Sequence, residues 1–139
     1  MNEGKMWEAR CACGELSIRL AGDPQYVSSC CCQACQRRSG SFYAVTAFFA
    51  HDQVLEQRGP NTVFRRIGDS GKPLDFHFCP SCGSTVWWEP GARPDRIAVA
   101  GGCFADKSFP SPQRLIWTEE RHPSICVADD LPTFERAPS

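Results

Sequence analysis

The chain lacks any long apolar segment. No stretch of its 139 residues approaches the ~20 consecutive apolar residues that a membrane-spanning helix needs. The polar start at residues 1–5 is not followed by the apolar core of a secretory signal. We therefore expect a cytoplasmic protein with no membrane partner, in a compartment where thiols stay reduced.

An excess of charge of one sign is also missing. The formal net charge is −1, and no basic run is longer than two residues, as at Arg37-Arg38, so the composition argues against a nucleic-acid partner. Internal repeats, low-complexity tracts and interior linkers are absent too. A hydrophobic fraction of 42% is ordinary for a globular protein. We expect residues 1–139 to form a single domain.

Helical periodicity is scarce as well. Short segments with alternating or β-branched and aromatic residues recur at intervals of roughly ten residues, with turn signals between them, which is typical of a β-rich domain. The predicted strands are 15–20, 42–49, 62–67, 74–78, 84–88 and 96–100. The best helix candidate is Gln33–Ser39, which Gly40 is placed to end. The sequence thus predicts a mainly β fold of short antiparallel strands with little helix and a surface tail at residues 128–139.

What the chain has in abundance is cysteine. It contains ten cysteines, and most of them fall in three tight clusters: CACG at 11–14, CCCQAC at 30–35 and CPSCG at 79–83. Two such turns can hold four thiolates around one zinc ion. In a reducing compartment, clustered cysteines favour metal binding over disulfides.

The first and third clusters resemble each other. In each, the last cysteine is followed by a glycine, which permits a positive φ so that backbone N–H groups can turn toward the sulfurs. Both clusters also lead into a predicted strand. We therefore pair them in one closed zinc site, whose metal would contribute to folding. Its predicted ligands are Cys11, Cys13, Cys79 and Cys82.

The middle cluster supplies only three thiolates, from Cys30, Cys32 and Cys35. Cys31 should point away if the segment is extended, so it is left out of the site. Three ligands describe a second zinc site with one position open to a substrate. The alternative is a second structural zinc that a distant residue completes. The candidates for that fourth ligand are His51, His77, His122, Cys103 and Cys126.

Three further features bear on the site. Arg37 and Arg38 follow Cys35 and can attract the carboxylates of a ligand, although solvated surface charges are the alternative. Trp87 and Trp88 lie beside the third cluster, where we expect core or edge packing, with the lining of a pocket by one of them as the alternative. His77, between two phenylalanines, is expected to be a hydrogen-bonded sheet residue instead of a ligand.

The order C-x-C-G, then C-x-C-x-x-C with R-x-S-G, then F-C-P-x-C-G resembles the glutathione-dependent formaldehyde-activating enzyme family, which includes centromere-protein-V-like proteins. The resemblance extends from about Cys11 to the L-P-x-F segment that ends at Phe134. The chain departs from the family pattern at Cys31, where histidine is frequent. It departs again at Arg114 and Ser124, near which many members have histidine and tryptophan.

The resemblance implies a β-tent fold with two zinc ions per chain. By position, Cys11, Cys13, Cys79 and Cys82 match the structural ligands, and Cys30, Cys32 and Cys35 match those of the catalytic zinc. The implied activity joins formaldehyde to the thiol of glutathione, giving S-hydroxymethylglutathione, and is classed as a carbon–sulfur lyase for the reverse direction. The implied partner is a small thiol such as glutathione.

Two other functions compete with a carbon–sulfur lyase. A non-enzymatic zinc module that binds a partner would have its second metal site filled by a fourth protein ligand. A thiol redox or metal-sensing protein would need two of Cys31, Cys103 and Cys126 within disulfide reach. An open and solvent-reachable second site favours the lyase.

Overall fold

The computed structural model describes residues 4–138, so the first three residues of the polar start at 1–5 and the last residue of the predicted tail at 128–139 lie outside it. The described chain is mainly β, as predicted. Its one α-helix is α1 (Gln33–Ser39). The strands are β1 (Met6–Arg10), β2 (Ser17–Ala21), β3 (Tyr26–Cys30), β4 (Ala44–Ala50), β5 (Val54–Arg58), β6 (Thr62–Ile67), β7 (Pro73–Phe78), β8 (Thr85–Pro90), β9 (Arg96–Ala100) and β10 (Leu115–Ile116).

These strands form two sheets. A three-stranded sheet has the order β1-β2-β5, and a seven-stranded sheet has the order β10-β3-β4-β9-β8-β7-β6. Neighbouring strands are antiparallel except for the short β10, which runs parallel to β3. No helix within residues 4–138 is long and apolar enough to cross a membrane.

The main hydrophobic core lies between the two sheets. It joins Ile18 and Leu20 of β2 to Phe49 of β4, Trp87 of β8 and Val99 of β9. All five are almost fully buried. The face of the seven-stranded sheet that meets the small sheet is therefore the structural face.

The opposite face of the seven-stranded sheet carries a second, smaller cluster. Successive side chains of a strand point to opposite faces, so Trp88 leaves the main core although Trp87 joins it. Trp88 packs with Phe76 and Ala98, and these pair across β7, β8 and β9. We call this the outer face. It positions the candidate site described below.

Most predicted elements are present, and α1 has the predicted bounds with Gly40 at φ 73° ending it. Strands β6 and β9 also match residue for residue. The tail is less detached than predicted, because the backbone N–H of Phe134 donates to the carbonyl of Leu115 in β10. The prediction missed β1, β3, β5 and β10.

Candidate metal centres

The first and third cysteine clusters fold into matching turns. The N–H of Cys11 donates to the carbonyl of Leu16, and the N–H of Cys79 donates in the same way to Ser84, both at 2.9 Å. Gly14 and Gly83 have φ near +85° in both turns, as the sequence predicts. Their N–H groups, however, donate to the carbonyls of Cys11 and Cys79 instead of to sulfur.

The two turns bring four sulfurs together. The Sγ atoms of Cys11, Cys13, Cys79 and Cys82 all lie within 4.8 Å of one another. We call them the four-cysteine cluster. The Sγ of Cys13 is 3.6 Å from that of Cys11 and 3.6 Å from that of Cys79. These separations are far beyond a disulfide bond and are near the about 3.8 Å that ligand sulfurs keep in a tetrahedral zinc site with Zn–S bonds of about 2.3 Å.

The surroundings of the four-cysteine cluster favour a thiolate at Cys82 and donate to the sulfur of Cys11. A hydrogen bond with the backbone of Glu15 lowers the pKa of Cys13, but burial and the neighbouring thiols raise that pKa to about 12. The backbone N–H of Leu16 donates to Cys11 Sγ at 3.2 Å. Hydrogen bonds to Ser84 lower the pKa of the Cys82 thiol to about 5. The hydroxyl of Ser84 also accepts the N–H of Ala12 and so ties the two turns together. The donor set therefore fits a soft, four-coordinate metal such as zinc.

The middle cluster sits where β3 passes into α1. Cys30 ends the strand, Cys32 is the N-cap of the helix and Cys35 lies in its first turn. Their three Sγ atoms lie within 4.8 Å of one another. We call them the three-cysteine cluster. The cap is made by sulfur, because the N–H of Cys35 donates to Cys32 Sγ at 3.3 Å.

The three thiols of this cluster polarise one another. Hydrogen bonds from Cys30 and Cys35 lower the pKa of Cys32 to about 2, with a further contribution from the Arg66 charge. The same hydrogen bond with Cys32 raises the pKa of Cys30. Cys32 is thus the thiolate that the neighbouring groups stabilise, and a metal would take the place of the shared protons.

Cys31 takes no part in the cluster. Its side chain is fully buried, and its carbonyl accepts the side-chain amide of Gln36 at 2.8 Å. Its exclusion from the site, predicted from alternation along an extended segment, agrees with this placement. All ten cysteines are free of disulfide bonds.

No fourth histidine, cysteine or carboxylate joins the three-cysteine cluster within residues 4–138. The five residues considered for this role have other environments. His77 bonds Asn61 and Glu89, His51 bonds the Pro94 carbonyl, and His122 bonds Ser124. Cys103 contacts the Thr85 carbonyl and Cys126 is exposed. A metal ion held by these three sulfurs would therefore have one coordination position without a ligand from the described residues.

A cavity of about 270 Å³ opens over the three-cysteine cluster. The outer face forms its floor, with Trp88, Phe76 and Phe48 among the lining residues, and α1 closes one end through Arg38. The guanidinium of Arg38 lies 4.3 Å from the centroid of the Trp88 ring, within cation–π range. This volume suits a small organic molecule.

Positive charge dominates the cavity wall. Only one of the residues that line the cavity is acidic, Asp69, whereas four are cationic: Arg38, Arg66, Lys72 and Arg114. None of the four cations forms a salt bridge in the part of the chain that the structure describes. By contrast Arg65, on the other face of β6, pairs with Asp75 at 2.7 Å. The cavity therefore suits an anionic ligand.

Sequence reasoning found only part of this wall. It named Arg38, but also Arg37, which is exposed and is not among the cavity-lining residues. It did not assign Arg66 or Lys72 to the site, and it noted Arg114 only as a departure from a family pattern. Alternation along β6 was the available signal, since Arg65 and Arg66 must face opposite sides.

Comparison with known proteins identifies a similar fold and a matching family. No curated protein matches the chain. A crystal structure of a Rhodobacter sphaeroides protein, a Northeast Structural Genomics target, is similar with a TM-score of 0.52 and 20% identity over 74% of this chain and 90% of the other. This similarity supports the fold alone. A family model described as glutathione-dependent formaldehyde-activating enzyme matches residues 6–120. The chain therefore belongs to the glutathione-dependent formaldehyde-activating enzyme family.

Proposed function

We propose that the protein is a zinc-dependent carbon–sulfur lyase that forms and breaks adducts of a small thiol with an aldehyde, such as S-hydroxymethylglutathione. One cytoplasmic domain of residues 1–139 would hold two zinc ions. The four-cysteine cluster, Cys11, Cys13, Cys79 and Cys82, would bind the structural ion. The three-cysteine cluster, Cys30, Cys32 and Cys35, would bind the second ion at the reaction site.

One observation supports this proposal above the others. The three-cysteine cluster has no fourth ligand among residues 4–138 and faces a cavity whose four cations have no acidic partners there. A purely structural zinc site is closed by four protein ligands. Unpaired cations around an incomplete ligand set are instead the arrangement that receives a charged substrate.

The charges of the cavity match those of glutathione. Glutathione carries two carboxylates and one ammonium group at neutral pH, besides its thiol. Arg38, Arg66, Lys72 and Arg114 can receive the carboxylates, and Asp69 can receive the ammonium group. A neutral thiol would leave these charges without partners.

The chain's own residues would orient the thiol. The zinc, when bound, supplies a coordination position at which a substrate sulfur can be held as a nucleophile. The cations can bind the carboxylates of the thiol, and the aromatic floor of Trp88 and Phe76 would exclude water from one side of the adduct. Arg38 is held in place by stacking on Trp88.

Calorimetric titration of glutathione into the zinc-loaded protein tests the proposal. We expect saturable binding at millimolar or lower concentration that disappears in Cys35→Ser, because this change removes a ligand of the second metal. Cys126→Ser is the matched control, since Cys126 is exposed and lies outside both clusters, and it should bind as the wild type does. Absence of binding by glutathione and other low-molecular-weight thiols would favour the non-enzymatic zinc module.

A further inference from the structure

A second hollow lies beside the cavity on the outer face. It has a volume of about 430 Å³, and we call it the aromatic groove. It is lined by Phe64, Phe76, Phe78, Arg37, Arg38 and Arg66. Three of these residues, Arg38, Arg66 and Phe76, also line the cavity. The two hollows are therefore neighbours that share one wall.

The shared wall consists of stacked side chains that form no salt bridges within the described part of the chain. The guanidinium of Arg38 lies 5.7 Å and that of Arg66 5.5 Å from the centroid of the Phe76 ring. Neither arginine has a salt bridge among residues 4–138, and the Nη2 atom of Arg38 is buried without a hydrogen-bond partner there. These guanidinium groups can therefore bind an anion without breaking an ion pair.

The lining of the aromatic groove has a definite chemical preference. It presents three phenylalanine rings and three guanidinium groups, and none of its lining residues is acidic. Phe64 is 58% exposed on the edge strand β6, so its ring stands free for a ligand. Aromatic rings and guanidinium groups together favour an aromatic group that carries a negative charge.

The groove is lined by the helix α1 that also carries Cys35. Ala34, which lines the groove, precedes Cys35 in the sequence, and Arg38 follows Cys35 by one helical turn. A one-carbon aldehyde held at the cluster would fill none of this space. A larger aldehyde would extend its side chain past Arg38 into it.

We infer that the aromatic groove binds the side chain of the aldehyde half of the substrate, and that this aldehyde is aromatic and bears a carboxylate. The inference rests on the proposed function, because it assigns the second half of the same adduct. In the reaction the thiol adds across the carbonyl group. A carbon–sulfur bond forms, the carbonyl π bond breaks and the thiol proton ends on the new hydroxyl group, so that no oxidant or reductant is consumed.

The test compares three aldehydes with the zinc-loaded full chain and glutathione. We expect kcat/KM to rise from formaldehyde through benzaldehyde to 4-carboxybenzaldehyde, after correction for the uncatalysed rates. A binding readout without turnover uses 4-(hydroxymethyl)benzoate, which cannot form the adduct. It should shift the NMR signals of the Ala34 and Thr85 amides, which border the groove.

Substitutions at two adjacent residues distinguish an effect on the groove from a general effect on strand β6. Phe64→Ala should lower kcat/KM for 4-carboxybenzaldehyde roughly 3- to 10-fold, the worth of one aromatic contact, with little change for formaldehyde. It should also weaken the NMR shifts. Val63→Ala is the matched control, because Val63 is 49% exposed on the same strand and points to the opposite face.

The outcomes distinguish the two proposals. Glutathione binding and formaldehyde turnover without preference for aromatic aldehydes, and without NMR shifts, would overturn this inference alone. Equal losses for formaldehyde and 4-carboxybenzaldehyde in Phe64→Ala would also overturn it. Failure of glutathione to bind at all would contradict the proposed function and this inference with it.

Discussion

At the scale of single residues, alternation along a strand divides neighbours between structure and function. Trp87 is 2% exposed in the core, whereas the adjacent Trp88 faces the cavity and stacks on Arg38. Arg65 pairs with Asp75 on one face of β6, whereas Arg66 lines the cavity on the other. The sequence favoured core or edge packing for both tryptophans and offered a pocket role only as the alternative, and which one lines the cavity depends on which face the small sheet covers.

The arginine pair gives a direct prediction. Arg66→Gln should weaken glutathione binding roughly tenfold, because a charged hydrogen bond contributes about 1.5 kcal/mol. Arg65→Gln is the matched control and should leave binding unchanged, because its guanidinium is occupied by Asp75 on the opposite face. Calorimetry on both variants makes the comparison. Equal effects of the two changes would mean that the cavity charge does not select the ligand.

At the scale of elements, the sequence predicted those whose pattern is local. The end of α1 is marked by Gly40, and β6 and β9 are marked by the residue types of their own segments. Strand β3 was not predicted, and its adjacent Ser28 and Ser29 interrupt the apolar pattern typical of a buried strand. In the fold they are buried, and Arg114 bonds both hydroxyls, through its Nε to Ser28 and through its carbonyl from Ser29. The hydrogen-bond partners that make burial of these two serines possible come from a segment about 85 residues away. The sequence around β3 therefore contains no pattern that predicts the strand.

The matching turns of the four-cysteine cluster carry a prediction of their own. Cys82→Ser should lower zinc content by one ion per chain and lower the Tm by on the order of 10 °C, because metal binding at a closed site is part of the folding free energy. Cys126→Ser, which alters an exposed thiol outside both clusters, should change neither quantity. Elemental analysis and thermal unfolding measure the two effects. A well-folded Cys82→Ser protein with unchanged zinc would refute the assignment.

At the scale of the whole molecule, the fold separates the main core from the candidate site. The two sheets enclose the main core, while the cavity and the three-cysteine cluster lie on the outer face. Spacing alone was enough to predict the three-cysteine cluster, and spacing with the two following glycines was enough to predict the four-cysteine cluster. The cavity was beyond prediction, since its cations come from α1, β6, the segment after β6 and the segment before β10. Only the sheet order brings them together.

The central claim is that the three-cysteine cluster holds a metal with a position open to a thiol. The most direct test is the absorption spectrum of the Co²⁺-substituted protein during titration with glutathione. We expect two Co²⁺ ions per wild-type chain and a new thiolate-to-metal charge-transfer band with glutathione but not with S-methylglutathione. Cys32→Ser should keep the wild-type circular dichroism, bind one Co²⁺ ion and show no new band. An unchanged wild-type spectrum, or the same new band in Cys32→Ser, would contradict the account.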